Sequence, residues 1–250
     1  MLESIQFLGY SGGVPTTNSS TSSCVIDIGG SFVLVDCAEN TFINLIKGKY
    51  PLGKIHSIFI THLHPDHVGG LIPFLFYKHV IRNQSKITLY GPENLESYLK
   101  TNFEYQGFNP SYPINVINLS RKMEYQIQDD FTIKVSMVEH GLPCFAYRFY
   151  DGNKSLTYVT DTRKYDELYK FAQDTDLLVL ESTFPDGMEQ RAHDKFHLSI
   201  SDALEIAKTV NAKRLILTHF SPRIGQNSLS NVSYNGHSCF IGLQKTKLNY

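Results

Sequence analysis

The sequence predicts an α/β protein occupying residues 1–250 as a single domain. Two observations carry this. Short apolar runs of strand length are separated by stretches of helical spacing. Six of those runs end in an acid or a histidine, at Asp36, His62, His140, Asp161, Glu181 and His219. In sheets flanked by helices, functional sites collect where strands end. Six such groups after six strands therefore point to one shared site.

The elements follow in order. Glu3 to Gly9 has the spacing of a first strand, and a Gly- and Pro-punctuated loop through Ser11-Gly12-Gly13-Val14-Pro15 follows it. Cys24 to Ile28 and Ser31 to Cys37 read as strands joined at Gly29-Gly30, a hairpin signal. A short helix is expected over Asn40 to Lys47, a buried strand over Ile55 to Ile60, and a helix from Val68 to about Ile81. Lys86 to Tyr90 is a strand, and a helix begins at Glu93. Thr101 to Asp130 reads as a loop holding Phe103, Tyr105, Phe108, Tyr112 and Tyr125, with buried packing the expected fate of most of them and a lid over a small substrate the functional one. Phe131 to Val138, Phe145 to Tyr150 and Leu156 to Thr160 are strands, the last two joined at the turn dipeptide Asp151-Gly152. A helix around Tyr165 to Gln173 leads to the strand Leu177 to Leu180. Ser201 is the expected cap of a helix with Ala203, Leu204, Ile206, Ala207 and Val210 on one face, and Leu215 to Thr218 is the last strand. No repeat, linker or second domain is evident.

Composition bounds the function. The formal net charge is −1, from 23 basic and 24 acidic side chains, so no global field draws the chain to nucleic acid or anionic membrane. No apolar run approaches the length of a membrane helix, and the N-terminal residues lack the basic and apolar regions of a signal peptide. Four scattered cysteines without a Cys-x-x-Cys read as reduced thiols, which places the protein in the cytoplasm.

The chemistry concentrates at Thr61-His62-Leu63-His64-Pro65-Asp66-His67. His62 and His64 alternate with a leucine, so both side chains can leave an extended segment on one side. Pro65 stiffens the turn, and Asp66 and His67 stand at the start of the next helix. Imidazole and carboxylate ligands suit zinc, with manganese or iron as alternatives. Asp36 has a different use open to it, holding a loop or supporting a ligating imidazole. His56, His79, His193 and His237 lack a strand-end position and read as structural.

The His-x-His-x-Asp-His stretch resembles the metal-binding signature of the metallo-β-lactamase superfamily. The resemblance narrows to its tRNase Z branch (ribonuclease Z, or BN) through further pieces spread over nearly the whole chain. These are Phe7-Leu8-Gly9 with Gly12-Gly13-Val14-Pro15-Thr16, Val35-Asp36-Cys37, Tyr90-Gly91-Pro92, Tyr147-Arg148-Phe149, Asp161-Thr162-Arg163, Glu181-Ser182-Thr183-Phe184, His197 with Ser199, and Leu217-Thr218-His219-Phe220-Ser221-Pro222-Arg223. The resemblance implies a four-layer αβ/βα sandwich, two sheets face to face with helices outside, and a dinuclear zinc site at one edge. It implies that His62, His64 and His140 hold one Zn2+, that Asp66, His67 and His219 hold the second, and that Asp161 bridges them. It assigns catalytic parts to Asp66, to His197 as proton donor or transition-state stabiliser, and to Glu181 as the group fixing the tautomer of His197.

The sequence departs from the branch in places. Ala38-Glu39-Asn40-Thr41 stands where the family has Gly-Glu-Gly-Thr, and Phe196 stands where it has glycine before His-Ser. The long arm that grips tRNA in the family falls between the residues matching His140 and Asp161, and this chain has room there only for a hairpin. The implied function is a metal-dependent hydrolase, a phosphodiesterase acting on a small phosphodiester or an RNA 3′ end. The alternative keeps the metals and turns them on a lactone, thioester or β-lactam, or on a step of a biosynthetic pathway. Expected partners are the small phosphodiester or RNA substrate and no membrane, with a homodimer left open.

Overall fold

A computed structural model describes residues 2–119, 122–128, 131–224, 229–240, 242–243 and 245–248. The strands are β1 (Leu2–Gly9), β2 (Ser23–Ile28), β3 (Ser31–Val35), β4 (Ile55–Phe59), β5 (Ile87–Gly91), β6 (Ile114–Asn118), β7 (Lys122–Gln128), β8 (Phe131–Val138), β9 (Cys144–Tyr150), β10 (Ser155–Val159), β11 (Leu177–Glu181), β12 (Arg214–Thr218), β13 (Ser233–Tyr234), β14 (His237–Ser238) and β15 (Lys245–Lys247). The helices are α1 (Thr41–Lys47), α2 (Pro65–Val68), α3 (Leu71–Val80), α4 (Leu95–Gln106), α5 (Asp166–Ala172), α6 (Glu189–Asp194) and α7 (Ile200–Thr209). A seven-stranded sheet runs β15-β1-β2-β3-β4-β5-β6, a six-stranded sheet runs β12-β11-β10-β9-β8-β7, and β13 and β14 form a small hairpin.

The period-2 alternation of the strands sorts apolar side chains into three cores. In β4, Phe59 faces a core shared by both sheets, while Ile58 faces the helices. In β11, Leu177 and Val179 enter the shared core, and Leu178 and Leu180 enter a core roofed by α5 and α7. Helices therefore cover the outer face of each sheet, giving the four layers of an αβ/βα sandwich.

Strand direction positions the site. β3, β4, β5 and β6 are mutually parallel, so their carboxyl ends share one edge. β10, β11 and β12 are parallel, and β8 points the same way because β9 is antiparallel to both β8 and β10. The interval between His140 and Asp161 holds only the β9–β10 hairpin, as expected.

Several expectations need correction. The helix expected from Val68 to Ile81 is two helices, broken at Gly69-Gly70. At Gly70 a Cβ would collide with the backbone carbonyl of Ala38, so the chain breaks where it passes the loop after β3. Ser199, not Ser201, caps α7: its Oγ accepts from the Asp202 N–H while the Asp202 carboxylate accepts from the Ser199 N–H. The stretch from Thr101 to Asp130 is no loop. It contains the end of α4 and strands β6 and β7, with Ser120, Arg121 and 129–130 outside the described residues. α4 returns from the carboxyl end of β5 to the start of parallel β6, which carries Phe103, Phe108 and Tyr112 to the edge opposite the strand-end residues, packed against the helical face of the first sheet. Tyr125 packs against the core between the sheets. The aromatic segment therefore makes no lid.

Candidate metal centre and catalytic cleft

Asp36 directly follows β3, His140 and Asp161 come just beyond β8 and β10, Glu181 ends β11, and His219 directly follows β12. His62 and His64 lie in the extended link after β4, and Asp66 and His67 occupy the first turn of α2, where Pro65 sits at the position that needs no N–H bond. Asp36, Asp161 and His219 all adopt left-handed backbone, with φ of 59°, 48° and 60°. Each such residue costs roughly 1–3 kcal/mol and persists only where its surroundings over-determine it. The strain turns the side chain sharply off the strand end and into the site.

Seven residues singled out from the sequence come together there. His62 Nε2 and His64 Nδ1 lie 2.9 Å apart, and His140 Nε2 is 3.2 Å from His64 Nδ1. Asp161 Oδ2 is 3.5 Å from His62 Nε2 and 3.8 Å from His140 Nε2. Its other oxygen, Oδ1, faces a second group, at 3.3 Å from His67 Nε2 and 3.2 Å from His219 Nε2. Asp66 Oδ2 completes that group, 3.4 Å from His67 Nε2 and 3.3 Å from His219 Nε2. Tetrahedral zinc with ligands at about 2.0–2.1 Å separates those ligands by about 3.3 Å. The spacing and the donor set therefore fit two cations sharing Asp161.

Electrostatics agree with that fit. Burial pushes His62, His64 and His140 below the ordinary imidazole range, toward the neutral form that ligates a metal. Burial also opposes a charge on His67, yet Asp161 and Asp36 raise its proton affinity well above that range. Asp161 is buried too, but His219, His67 and His62 hold it well below the usual carboxylate range. The pocket demands positive charge, which divalent cations would meet.

Two buried carboxylates orient the imidazoles in the same manner. Asp36 accepts from His67 Nδ1 at 2.7 Å and from the Thr61 hydroxyl at 3.0 Å, and the Thr61 oxygen stands 3.0 Å from His62 Nδ1. Glu181 accepts from His197 Nδ1 at 2.8 Å and from the Thr183 hydroxyl at 2.6 Å, and the Thr183 oxygen stands 2.7 Å from His219 Nδ1. Each carboxylate thus fixes one imidazole directly and a second through a threonine, leaving every Nε2 aimed at the cluster or the cleft. Sequence reading gave no role to Thr61 or Thr183. Their only signal was adjacency, one residue before His62 and two after Glu181. Glu181 also accepts from the backbone N–H of Thr162, Thr183 and Leu198, which immobilises it.

The cleft over the cluster has a volume of about 470 Å³ and is walled by Gly12, Gly13, Phe184, Phe196, His197 and Arg223, among others. Gly12 must be glycine, since a Cβ would lie 2.6 Å from His219 Nδ1. The Gly13 N–H donates to Asp66 Oδ2 at 2.8 Å. The His197 ring stands 5.6 Å from that of His140 and 5.5 Å from that of His219. Burial works against its charge, but Glu181 prevails and raises its pKa to about 9. His197 also falls in a geometric group with Asp161 and His219.

A family model described as "Beta-lactamase superfamily domain" matches residues 32–220. The chain belongs to this superfamily. Within the superfamily, it is similar to Ribonuclease Z of Cyanothece sp. (strain PCC 7425), at 30% identity over 88% of this chain and 84% of the relative. Ribonuclease Z of Acaryochloris marina is 29% identical, covering 90% of this chain and 88% of its own. That match spans 276 residues, more than the 250 of this chain, so the relative carries segments that this member lacks. The crystal structure of the short form of human tRNase Z superimposes with a TM-score of 0.85 at 25% identity, covering 99% of this chain and 100% of that one. This member of the beta-lactamase superfamily is a hydrolase on the ribonuclease Z branch.

Proposed function

We propose that the chain is a dinuclear zinc phosphodiesterase, a single hydrolase domain over residues 1–250, acting on small phosphodiesters or RNA 3′ ends. The observation that carries the reading is the divided Asp161 carboxylate beside the Glu181–His197 pair. In it, His62, His64 and His140 hold one cation, Asp66, His67 and His219 the other, and Asp161 both. Bound zinc supplies Lewis-acid charge to a phosphoryl group and makes water nucleophilic at neutral pH. The rest of the work falls to the chain's own residues. Asp66, steadied by the Gly13 N–H, orients the attacking water. His197, outside the ligand set, gives the proton on Nε2 to the departing alkoxide, and Glu181 keeps its Nδ1 protonated. A leaving alkoxide needs that proton, which favours a phosphodiester over a lactone or thioester.

Two features bear on the substrate. The ribonuclease Z relatives favour RNA. The short hairpin between His140 and Asp161 leaves no arm to hold a tRNA body, and remote binding is what orients a large substrate at the scissile bond. Small diesters such as bis(p-nitrophenyl) phosphate are therefore expected to be hydrolysed readily and 3′-extended pre-tRNA weakly. Side-by-side kcat/KM values decide it. Inactivity on every phosphodiester with turnover of a lactone or thioester would overturn the reading.

We place the enzyme in the cytoplasm: its four cysteines are free and buried, as suits a reducing compartment. Among the described residues no helix is long and apolar enough to cross a membrane. We also read the chain as a homodimer. α1 and α3 pack together through Phe42 and Tyr77, yet leave Ile43 and Ile46 on α1, Phe76, Tyr77 and Val80 on α3, and Ile81 just after it exposed.

A further inference from the structure

Phe196 is the bulky residue in the cleft wall that the metal centre does not explain. Its backbone has φ of 59°, the left-handed region where glycine is at ease and a phenylalanine is strained. A large side chain kept in that conformation must contribute something a glycine would not. The ring is half-buried and lines the cleft, nearly perpendicular to the His140 ring at 6.5 Å between centroids. The Arg163 guanidinium lies over the ring at 4.9 Å, and Glu139 holds Arg163 from behind at 2.6 Å. Phe196 lines the cleft and Arg163 does not. Glu139, Arg163 and Phe196 thus form a braced stack presenting an aromatic surface next to His197, the residue that faces the leaving oxygen.

Every nucleobase has a π-face, and base–aromatic stacking is a common way to hold a nucleotide without reading its sequence. We infer that Phe196 is the platform for the nucleobase next to the scissile phosphate, so that this member of the superfamily prefers nucleotide diesters to base-free ones. The inference rests on the phosphodiesterase reading above and adds the substrate class.

The test compares a dinucleotide with counterparts lacking one base at a time, on the zinc-loaded enzyme and its Phe196→Gly and Phe196→Tyr variants. Glycine relieves the strain at this position, so folding is not at risk. Phe196→Gly is expected to raise KM for the dinucleotide about 10-fold, within the usual range for one base on one aromatic ring. It should leave kcat, and both constants for one base-free counterpart, near the wild-type values, and Phe196→Tyr should restore dinucleotide binding. Equal losses on base-bearing and base-free diesters, or no loss on either, would overturn the platform alone. Wild-type inactivity on all of them would overturn the phosphodiesterase reading and the platform with it.

Discussion

At the scale of single residues, the site depends on the groups that hold its imidazoles in place. Thr183 connects Glu181 to His219 by hydrogen bonds of 2.6 and 2.7 Å, while Glu181 grips His197 directly. Replacing His197 by alanine removes the proposed proton donor but no proposed ligand. Metal content should stay near wild type while kcat falls by roughly 10²–10⁴, the range for a general acid or base. Thr183→Val should behave differently, loosening His219 and lowering metal affinity by roughly 10–100-fold, as loss of such supporting partners does. Elemental analysis and kcat measured on the same preparations separate the two. If His197→Ala loses zinc, His197 is a ligand and the assignment is wrong. Thr61 and Thr183 were not legible in the sequence because a hydroxyl acquires this role only once a carboxylate and an imidazole from different segments flank it.

At the scale of elements, the short helix α2 is what brings two of the proposed ligands into the site. It carries Asp66 and His67 and ends at Gly69-Gly70, where the chain bends against the loop after β3. The Gly70 N–H donates to the Cys37 carbonyl at 2.9 Å and the Cys37 N–H to that of His67 at 2.8 Å, tying the break to that loop. Gly70→Ala should therefore cost about 1–3 kcal/mol, the usual scale for forced overpacking. Urea denaturation measures that cost, and reduced metal content should accompany it because α2 shifts. A variant as stable and as metal-rich as wild type would show that the loop yields. The sequence predicts one helix from Val68 to about Ile81, which leaves Pro65, Asp66 and His67 just ahead of it and joins the end of α2 to α3. Nothing local in two glycines says whether a helix is broken there; the carbonyl of Ala38, 32 positions earlier, decides it.

At the scale of the whole molecule, the proposed ligands come from both sheets. His62, His64, Asp66 and His67 follow β4 in the first sheet, and His140, Asp161 and His219 follow strands of the second. Bound cations would cross-link the two halves. Saturation at about 1,000 times the dissociation constant stabilises a fold by about 4 kcal/mol. Exhaustive chelation should then lower Tm by about 8–16 °C for a chain of this size, and added zinc should restore it. An unchanged Tm in a scanning calorimeter would argue that the sheets need no metal. The exposed apolar residues of α1 and α3 give a second expectation at this scale. Light scattering after gel filtration should report a dimer, and Val80→Asp should shift it toward monomer without loss of folded structure. A monomeric wild type would dismiss the dimer.

The sequence by itself determined most element positions up to β5 and from β8 to β12, and the residue types at the strand ends. Period-2 alternation and apolar run length are local properties, and so is the His-x-His-x-Asp-His spacing after β4. Tertiary structure decided whatever depends on which side of a sheet a distant segment lands. The aromatic stretch from Phe103 to Tyr112 lies opposite the cleft because β5 and β6 are parallel and α4 must run back between them. The cap of α7 moved to Ser199, and residues 245–247 became an edge strand beside β1, because backbone groups distant in sequence needed partners. The divided Asp161 carboxylate, with one oxygen toward each histidine group, exists only because two sheets bring their strand ends to one edge, a relation that no stretch of sequence contains.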